Sequence, residues 1–528
     1  MSKWLNGAVF YEIYPQSFRD ANGDGIGDIE GIIQKLDYIL SLGCNAIWLN
    51  PCFDSPFRDA GYDVRDYKKV APRYGTNDDL KRLFAEARKR DMRVLLDLVP
   101  GHTSEEHEWF QESRKPQPNA LWNRYIWTDD WTKPSTELKL IGGESERNGS
   151  YMVNFFKCQP ALNYGFLNPR ESWQLPMDHP DAVATREALK DVMRFWLDAG
   201  CDGFRVDMAF SLVKLDDAQF SGTSAIWREV RAMLDADYPE AALVAEWGDP
   251  SLALKAGFHA DFLLHFNGGA YNSLVRDYKM DTAYNVIGAD NSFFKKDGNG
   301  DIMRFLDEYM PCYEATKNDG YISLITGNHD VPRLRLMLAP DEMALAFAFI
   351  FTMPGVPFLY YGDEIGMRYL NLVSKEGGYN RTGARTPMQW ARGKNLGFSG
   401  ADAGALYLPV DPAQDAPTAE DAQGDPGSLL NTVRALLRLR HAEPDLQARA
   451  NLEIIFAEKG RAPFAYRRGS LLLAVNPRAE AASAQIGSAI STEACAPMYV
   501  LGKCAFEQGH LRMEGQSFGV WRIRDLRA

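Results

Sequence analysis

Carboxylate and histidine side chains stand at the ends of several short apolar runs in this sequence. Asp207, Glu246 and Asp330 each come at the end of such a run or a few residues after it, and His102 and His329 have similar positions. Proteins use these side-chain types to donate or accept protons and to stabilise developing charge. One of them alone is usually a helix cap or part of a surface ion pair, but their repetition indicates a single site for acid–base chemistry.

The elements that must position these residues alternate along the chain. Apolar or β-branched runs are separated by segments with helical spacing, and eight such runs lie near residues 9–14, 46–49, 94–99, 203–206, 242–245, 262–266, 321–324 and 357–360. Strands that alternate with helices indicate a parallel sheet, and eight of them indicate closure into a (β/α)8 TIM barrel. Reactive residues of such barrels lie at the carboxyl ends of the strands, where the loops form the deep concavity.

Two parts of the chain depart from this alternation. A long segment rich in Trp, Asn, Pro and Gly separates the third and fourth runs, and short alternating runs replace the barrel pattern near the C-terminus. We therefore predict an α/β protein with three domains. They are a barrel of residues 1–99 and 176–443, an inserted domain of residues 100–175 and a C-terminal antiparallel β-sandwich of residues 444–528.

The composition argues against some partners. The chain has 528 residues, a formal net charge of −13 and no run of eighteen apolar residues. Nucleic acid, anionic membrane surfaces and membrane spans are therefore not expected. Seven scattered cysteines without metal-type spacing and an N-terminus without a signal-peptide core predict a cytoplasmic location. Removal of a leader and the oligomeric state stay open.

Several motifs occur together along the chain. They are Ala60–Asp63, Asp97–His102, Gln159–Asn163, Gly203–Asp207, Glu246–Trp247, Asn328–Asp330 and Arg385–Trp390. This set resembles the signature regions of the α-amylase family of glycoside hydrolases, and the resemblance covers nearly the whole chain. The last motif is typical of the oligosaccharide-acting branch, which is similar to oligo-1,6-glucosidases, α-glucosidases and trehalose synthases. The family implies the barrel, the insert after the third strand and the C-terminal β-domain.

The resemblance assigns roles to the three carboxylates. Asp207 corresponds to the nucleophile, Glu246 to the general acid and base, and Asp330 to a carboxylate that grips sugar hydroxyls. Retaining cleavage needs the first two about 5–5.5 Å apart, with Glu246 protonated before the reaction. Arg205 stands two residues before Asp207 on the same strand, so it should face the same side and keep Asp207 ionised.

Further positions match residues that bind the sugar. His102 and His329 are expected to donate hydrogen bonds to hydroxyls, and Tyr62 is expected to stack under the ring at the cleavage subsite. Asp59 and Arg385 resemble a pair that closes the pocket beyond the non-reducing end, with an ordinary salt bridge as the alternative. A closed pocket implies exo-attack on short chains.

The loop after the first apolar run has a pattern typical of metal-binding loops. Oxygen donors stand at alternate positions around Gly25, namely Asp20, Asn22, Asp24, the Ile26 carbonyl and Asp28. This resembles the first nine positions of an EF-hand loop, although Gly31 stands in place of the final glutamate. We expect one structural Ca²⁺ or Mg²⁺ ion, and a hydrogen-bonded turn rich in Asp and Asn is the alternative.

The expected activity is retaining, exo-acting hydrolysis of α-glucosidic bonds in short α-gluco-oligosaccharides. The alternatives are a transglycosylase or isomerase, such as a trehalose synthase or 4-α-glucanotransferase, and an endo-acting α-amylase. An inactive amylase-like domain is disfavoured because all three carboxylates are present. Met208 after the nucleophile and Ala161 in the insert leave the linkage preference open.

Overall fold

Eight parallel strands form the centre of the structure, which a computed structural model describes for residues 2–133, 135, 137–264, 269–281, 285–377, 381–486 and 496–523. In chain order they are β1 (Phe10–Ile13), β2 (Ala46–Leu49), β3 (Arg93–Leu98), β4 (Gly203–Val206), β5 (Ala242–Ala245), β6 (Ala260–Phe262), β7 (Tyr321–Ser323) and β8 (Phe358–Tyr360). Neighbours in the sheet follow the chain order, and β8 pairs with β1. A parallel bridge from Ile325 to Phe358 links the end of β7 to β8, which closes the predicted TIM barrel.

Helices connect successive strands around the outside. The longer ones are Leu36–Leu42, Asn77–Arg88, Pro180–Ala199, Ser221–Asp237, Ile302–Thr316, Pro340–Thr352 and Leu429–Ala442. Shorter helices are Pro15–Phe18, Ile29–Ile33, Glu108–Ser113, Pro250–Ala253, Ala270–Val275 and Ala419–Gly424. In the described ranges, none of them combines the length and the hydropathy required to cross a bilayer.

The helix Asn77–Arg88 shows how the local sequence determines these elements. Thr76 and Asp79 form a reciprocal capping box that satisfies backbone donors at its start. Leu80, Leu83, Phe84 and Ala87 are buried at helical spacing, so one face packs on the barrel while the charged face meets solvent.

The sixth strand differs from the prediction of 262–266. Pairing with β5 and β7 covers only Ala260–Phe262. Leu263 and Leu264 are also buried, although they lie beyond the paired residues. The apolar run is longer than the strand because its side chains continue to pack at the end of the barrel. Residues 265–268 lie outside the described residues.

The segment predicted as an inserted domain has local structure of its own. The strands Leu140–Gly142 and Ser150–Met152 pair antiparallel. A small apolar cluster, separate from the barrel core, is formed by Ile126, Leu138, Met152, Ala161 and Phe166. His102 pairs with Ala161 by an isolated bridge, so this segment returns to the mouth of the barrel.

Two antiparallel sheets form the C-terminal part. The first contains Leu452–Phe456, Phe464–Arg468, Leu471–Asn476, Ser517–Arg522 and Tyr499–Leu501, and the second contains Ala482–Gln485, His510–Met513 and Cys504–Glu507. Leu472 and Trp521 of the first sheet share a buried cluster with Phe506 and Leu511 of the second. The sheets therefore pack face to face as the predicted sandwich. The bounds predicted for the three domains stay predictions.

Candidate active site

Asp207 and Glu246 lie side by side at the carboxyl ends of β4 and β5. Val206 pairs with Ala245, so the next residue of each strand comes to the same level. The N–H of Asp207 donates to Leu98 O at 2.8 Å, and that of Glu246 donates to Val206 O at 2.9 Å. These backbone bonds fix both residues on rigid strand ends, where a reacting pair can be held in place.

Arg205 joins three buried carboxylates. Its Nη1 lies 2.9 Å from Asp97 Oδ1 and 3.3 Å from Asp207 Oδ1, and its Nη2 lies 2.6 Å from Glu246 Oε1. The contact with Asp207 agrees with the expectation that both side chains face the same side. Because a guanidinium is planar and its donors point in fixed directions, Arg205 orients both carboxyl groups at once.

The charge of Asp207 depends on its neighbours. Burial raises the pKa of Asp207 well above its ordinary value, the Glu246 carboxylate raises it further, and Arg205 lowers it. Arg205 is thus the neighbour that favours the ionised form which a nucleophile needs.

Asp330 lies across the site, beyond the end of β7. Its Oδ1 lies 2.6 Å from Arg381 Nη1 and 2.8 Å from Arg385 Nη2, and its Oδ2 lies 3.2 Å from His329 Nε2. Burial would raise the pKa of Asp330, but Arg381, His329 and Arg385 outweigh it and hold the pKa well below the ordinary range. Asp330 is therefore an anion at neutral pH.

Asp59 lines the same cavity wall as Asp330, and its ion-pair partner is a different arginine from the predicted one. Arg381 Nη2 forms an ion pair with Asp59 Oδ1, and Gln159 Nε2 donates to Asp59 Oδ2 at 2.7 Å. Burial raises the pKa of Asp59 to about 6, although Arg381 lowers it. The predicted Asp59–Arg385 pair was wrong, because the loop brings Arg381 between Asp59 and Asp330.

Arg385 is held in place by other groups. Its Nε donates to the carbonyl of His329 at 2.8 Å, its Nη1 to Glu376 Oε2 at 2.7 Å and its Nη2 to Asp330. Glu376 is buried and also accepts from Gln16 Nε2 at 3.2 Å. Arg385 thus supports Asp330 from behind. Sequence reasoning missed both Arg381 and Glu376, which lie in a loop without a periodic pattern.

The pKa values of the two predicted histidines are shifted in opposite directions. Burial lowers the pKa of His102 to about 3, and its Nδ1 lies 3.1 Å from Asn154 Nδ2. Burial would also lower the pKa of His329, but Asp330 and Glu12 raise it above the ordinary value. His102 is therefore neutral at pH 7, while His329 has the environment of a cation.

Lys214 lies behind His102 and was also missed. Its ammonium group donates hydrogen bonds to Asn154 Oδ1 and to the carbonyl of Ser211, and burial lowers its pKa to about 7. Lys214 thus fixes Asn154, which in turn contacts His102. A lysine within the apolar segment 209–215 is the signal that could have pointed to it.

These groups surround a cavity of about 420 Å³ lined by Asp59, Tyr62, His102, Phe155, Asp207, Met208, Phe210, Glu246, Asp330 and Arg381. Its size falls within the range of small-molecule pockets, about 300–1,000 Å³. Among the predicted sugar-binding residues, Asp59, Tyr62 and His102 line it. Arg205, His329 and Arg385 are buried behind the wall and reach the cavity only through the groups that they hold.

The predicted metal loop forms hydrogen bonds within itself. Asp20 accepts from the N–H of Gly25 at 2.8 Å, and Asp28 accepts from that of Ala21 at 3.0 Å. Gly25 has φ +93°, and a Cβ there would lie 2.2 Å from the carbonyl oxygen of Ala405, so only glycine fits. In the described part of the chain, no three His, Cys, Asp or Glu side chains form a group that could hold an ion. An ion here would therefore also need Asn22 and the Ile26 carbonyl.

The barrel and its three carboxylates are the arrangement of an enzyme that cleaves glycosidic bonds through paired carboxyl groups. The family model "Alpha amylase, catalytic domain" matches residues 12–448. The chain belongs to the α-amylase family and is an enzyme that acts on α-glucosidic bonds with retention.

Relatives within this family have several activities. The chain is 35% identical over 491 residues to the trehalose synthase/amylase TreS of Mycolicibacterium smegmatis, covering 83% of this chain and 76% of the relative. It is 32% identical over 497 residues to a glucan 1,6-alpha-glucosidase of Streptococcus pneumoniae, covering 86% of this chain and 87% of the relative. An inactive double mutant of MutB in complex with isomaltulose superposes with a TM-score of 0.81 at 25% identity, over 99% of this chain and 100% of that one.

Proposed function

We propose that the protein is an α-glucosidase-type hydrolase that removes glucose from the non-reducing end of short α-gluco-oligosaccharides. The observation that carries this proposal is the Arg381 bridge between Asp59 and Asp330 in the cavity wall, which we take to close the pocket beyond the terminal sugar. A pocket with a closed end admits one terminal sugar and excludes the middle of a long chain.

The cavity residues then have distinct roles in a double displacement. Asp207 attacks the anomeric carbon while Glu246 protonates the departing glycosidic oxygen, which leaves a covalent glucosyl ester on Asp207. Glu246 next takes a proton from water, and this water attacks the same carbon and releases α-glucose. Asp330, Asp59 and Arg381 hold the hydroxyls of the reacting sugar, and Tyr62 lies against its ring.

A second candidate is an isomerase of the trehalose synthase type. The TreS relative of Mycolicibacterium smegmatis supports it. The glucosyl ester on Asp207 serves both reactions, because water and a sugar hydroxyl attack the same carbon. The outcome depends on which of them reaches the ester first.

One product analysis separates these candidates. The protein is incubated with maltose, isomaltose, sucrose, trehalose, maltoheptaose and soluble starch, and the products are resolved over time, with Asp207→Asn as the control. Glucose from the short substrates supports the hydrolase, and trehalose from maltose supports the isomerase. A ladder of mid-length oligosaccharides from starch would contradict exo-attack.

We also propose that the loop of Asp20, Asn22, Asp24, Ile26 and Asp28 binds one Ca²⁺ or Mg²⁺ ion with a structural role. An all-oxygen donor set is the chemistry that these hard cations prefer. The hydrogen bonds within the loop support a stable backbone that holds the oxygen ligands in position.

A cytoplasmic location remains part of the proposal and is supported by the scattered cysteines.

A further inference from the structure

A buried carboxylate outside the cavity contacts the active-site histidine. Glu12 lies on β1, where the neighbouring residues Tyr11 and Ile13 are apolar or aromatic, and its side chain is fully buried. Its Oε1 lies 2.9 Å from His329 Nδ1. A carboxylate in such a strand has a high desolvation cost and needs a compensating partner.

The hydrogen bonds of His329 define where its protons lie. Tyr62 Oη donates to Asp97 Oδ2 at 3.1 Å, and the same oxygen lies 2.6 Å from His329 Nε2. Asp330 Oδ2, which can only accept as a carboxylate, lies 3.2 Å from the same nitrogen. With the hydroxyl hydrogen of Tyr62 directed to Asp97, Nε2 donates to both Tyr62 and Asp330. A carboxylate at Glu12 then requires a hydrogen on Nδ1 as well.

Other groups around His329 act both for and against a cation. On the cavity side, Asp330 Oδ2 lies 3.2 Å from Nε2 and favours a hydrogen there. Asn50 Nδ2 lies 3.2 Å from Nδ1, so a hydrogen on Nδ1 requires the Asn50 amide to be turned with its buried Oδ1 toward the ring. Tyr14 and Tyr62 stack against the ring, and Asp97 is a further carboxylate that interacts with it. Two cations are also near, since Arg385 donates to the backbone carbonyl of His329 and Arg205 interacts with Glu12. Thus carboxylates lie at both ring nitrogens.

We propose that Glu12 is a positioning residue that keeps His329 doubly protonated, so that His329 in turn fixes Tyr62 and Asp330 in the cavity wall. Glu12 acts only through the ring and does not reach the substrate. The competing arrangement has the proton on Glu12, with a neutral ring that accepts at Nδ1. The expected kinetic effect rests on the proposed function, whereas the protonation of the ring does not depend on it.

The protonation can be measured in the free protein. Imidazole ¹⁵N spectra of histidine-labelled protein, with His329→Gln for assignment, should show hydrogens on both nitrogens of His329 at pH 7. In Glu12→Gln the pKa of His329 should fall by at least about one unit, because the anion that favours the charged ring is lost. Glu364→Gln is the matched control, since Glu364 is equally buried and bonds to Tyr11 and Tyr38 instead of His329. The proposal would be overturned if Nδ1 of His329 carried no hydrogen in the wild type, or if His329 had the same pKa in the wild type and in Glu12→Gln.

The kinetic test uses the best substrate from the product analysis. Glu12→Gln should lower kcat/KM at pH 7 by about tenfold or more, and activity should be lost at lower pH than in wild type as the ring deprotonates. Glu364→Gln should stay within about twofold. If the spectra agree but kcat/KM of Glu12→Gln equals that of the control, Glu12 does not position the site and the proposal is wrong. A wild-type protein without activity on any α-glucoside would contradict the proposed function, while the spectra would still decide the protonation of His329.

Discussion

The backbone N–H of Met208 donates a hydrogen bond to Glu246 Oε2 at 3.0 Å. Met208 follows Asp207 and has φ +39°, so the left-handed turn after β4 directs this N–H at the second carboxyl group. Arg205 holds the other oxygen, Oε1. An acidic proton on Glu246 must therefore use a lone pair that neither donor occupies. Because Glu246 lines the cavity, we expect this lone pair to face the glycosidic oxygen of the substrate.

Asp207→Asn should lower turnover by at least about 10³-fold, since the amide cannot form the glucosyl ester. Glu246→Gln should lower turnover of a disaccharide by about 10²–10⁴-fold, because the departing oxygen is no longer protonated. The loss in Glu246→Gln should be smaller on a nitrophenyl glucoside, whose leaving group needs no proton. Initial rates measure these effects, and thermal melts check folding. Near-normal activity of Asp207→Asn would remove the nucleophile assignment.

The first glucose released should be the α-anomer. Two successive inversions at the anomeric carbon restore its configuration. Proton NMR of the earliest products, before mutarotation, measures the anomer directly. β-glucose as the initial product would exclude a covalent intermediate on Asp207.

Arg381→Ala should lower kcat/KM on di- and trisaccharides by about 100-fold, because Asp59 and Asp330 lose the cation that holds them in the cavity wall. The pKa of Asp59, about 6 in the intact site, should rise further without this cation. The matched control is Arg58→Ala, the neighbour of Asp59, whose half-exposed side chain binds Glu105 outside the cavity. Steady-state kinetics on maltotriose measure the effect. Equal losses in both variants would mean that Arg381 has no special role.

Glu364→Gln should change how stability depends on pH. Burial raises the pKa of Glu364 from 4.5 to about 7. The folded state then binds more protons than the unfolded state. The contribution of Glu364 to the free energy of unfolding is therefore full at low pH and is lost as the pH rises from about 4.5 through 7. The wild-type free energy of unfolding should therefore fall by about 2 kcal/mol more than that of the variant between about pH 5 and 8.5. Urea unfolding measures this difference, and the exposed Glu458→Gln should leave the slope unchanged.

Chelation should lower the melting temperature more than it lowers activity in the cold, because a bound ion stabilises only the folded state. Asp24→Ala should reproduce the effect and abolish the response to added Ca²⁺ or Mg²⁺. Asp402→Ala, at an exposed surface ion pair, is the control. Melting curves that respond neither to chelator nor to either cation would contradict the metal proposal.

Regular elements were predictable from sequence because they impose a spacing on the side chains. Side chains alternate between the two faces of a strand, and this period of two residues along β4 correctly placed Arg205 and Asp207 on one side. The alternation of strands and helices predicted the barrel. The partner of Asp59 could not be derived in this way, since Arg381 is 322 residues away in a loop. Glu12 could have been noticed as a carboxylate within a strand that is otherwise apolar or aromatic.

The reacting pair and the Asp59–Arg381 bridge in the cavity wall are encoded by separate parts of the chain. Asp207 and Glu246 belong to adjacent barrel strands joined by one arginine, whereas Asp59 and Arg381 come from two loops. Insertions or deletions in these loops can therefore change the length of substrate that enters while leaving the bond-breaking groups in place. If the proposed pocket is right, substrate length is thus a property that mutation can alter independently of the chemistry.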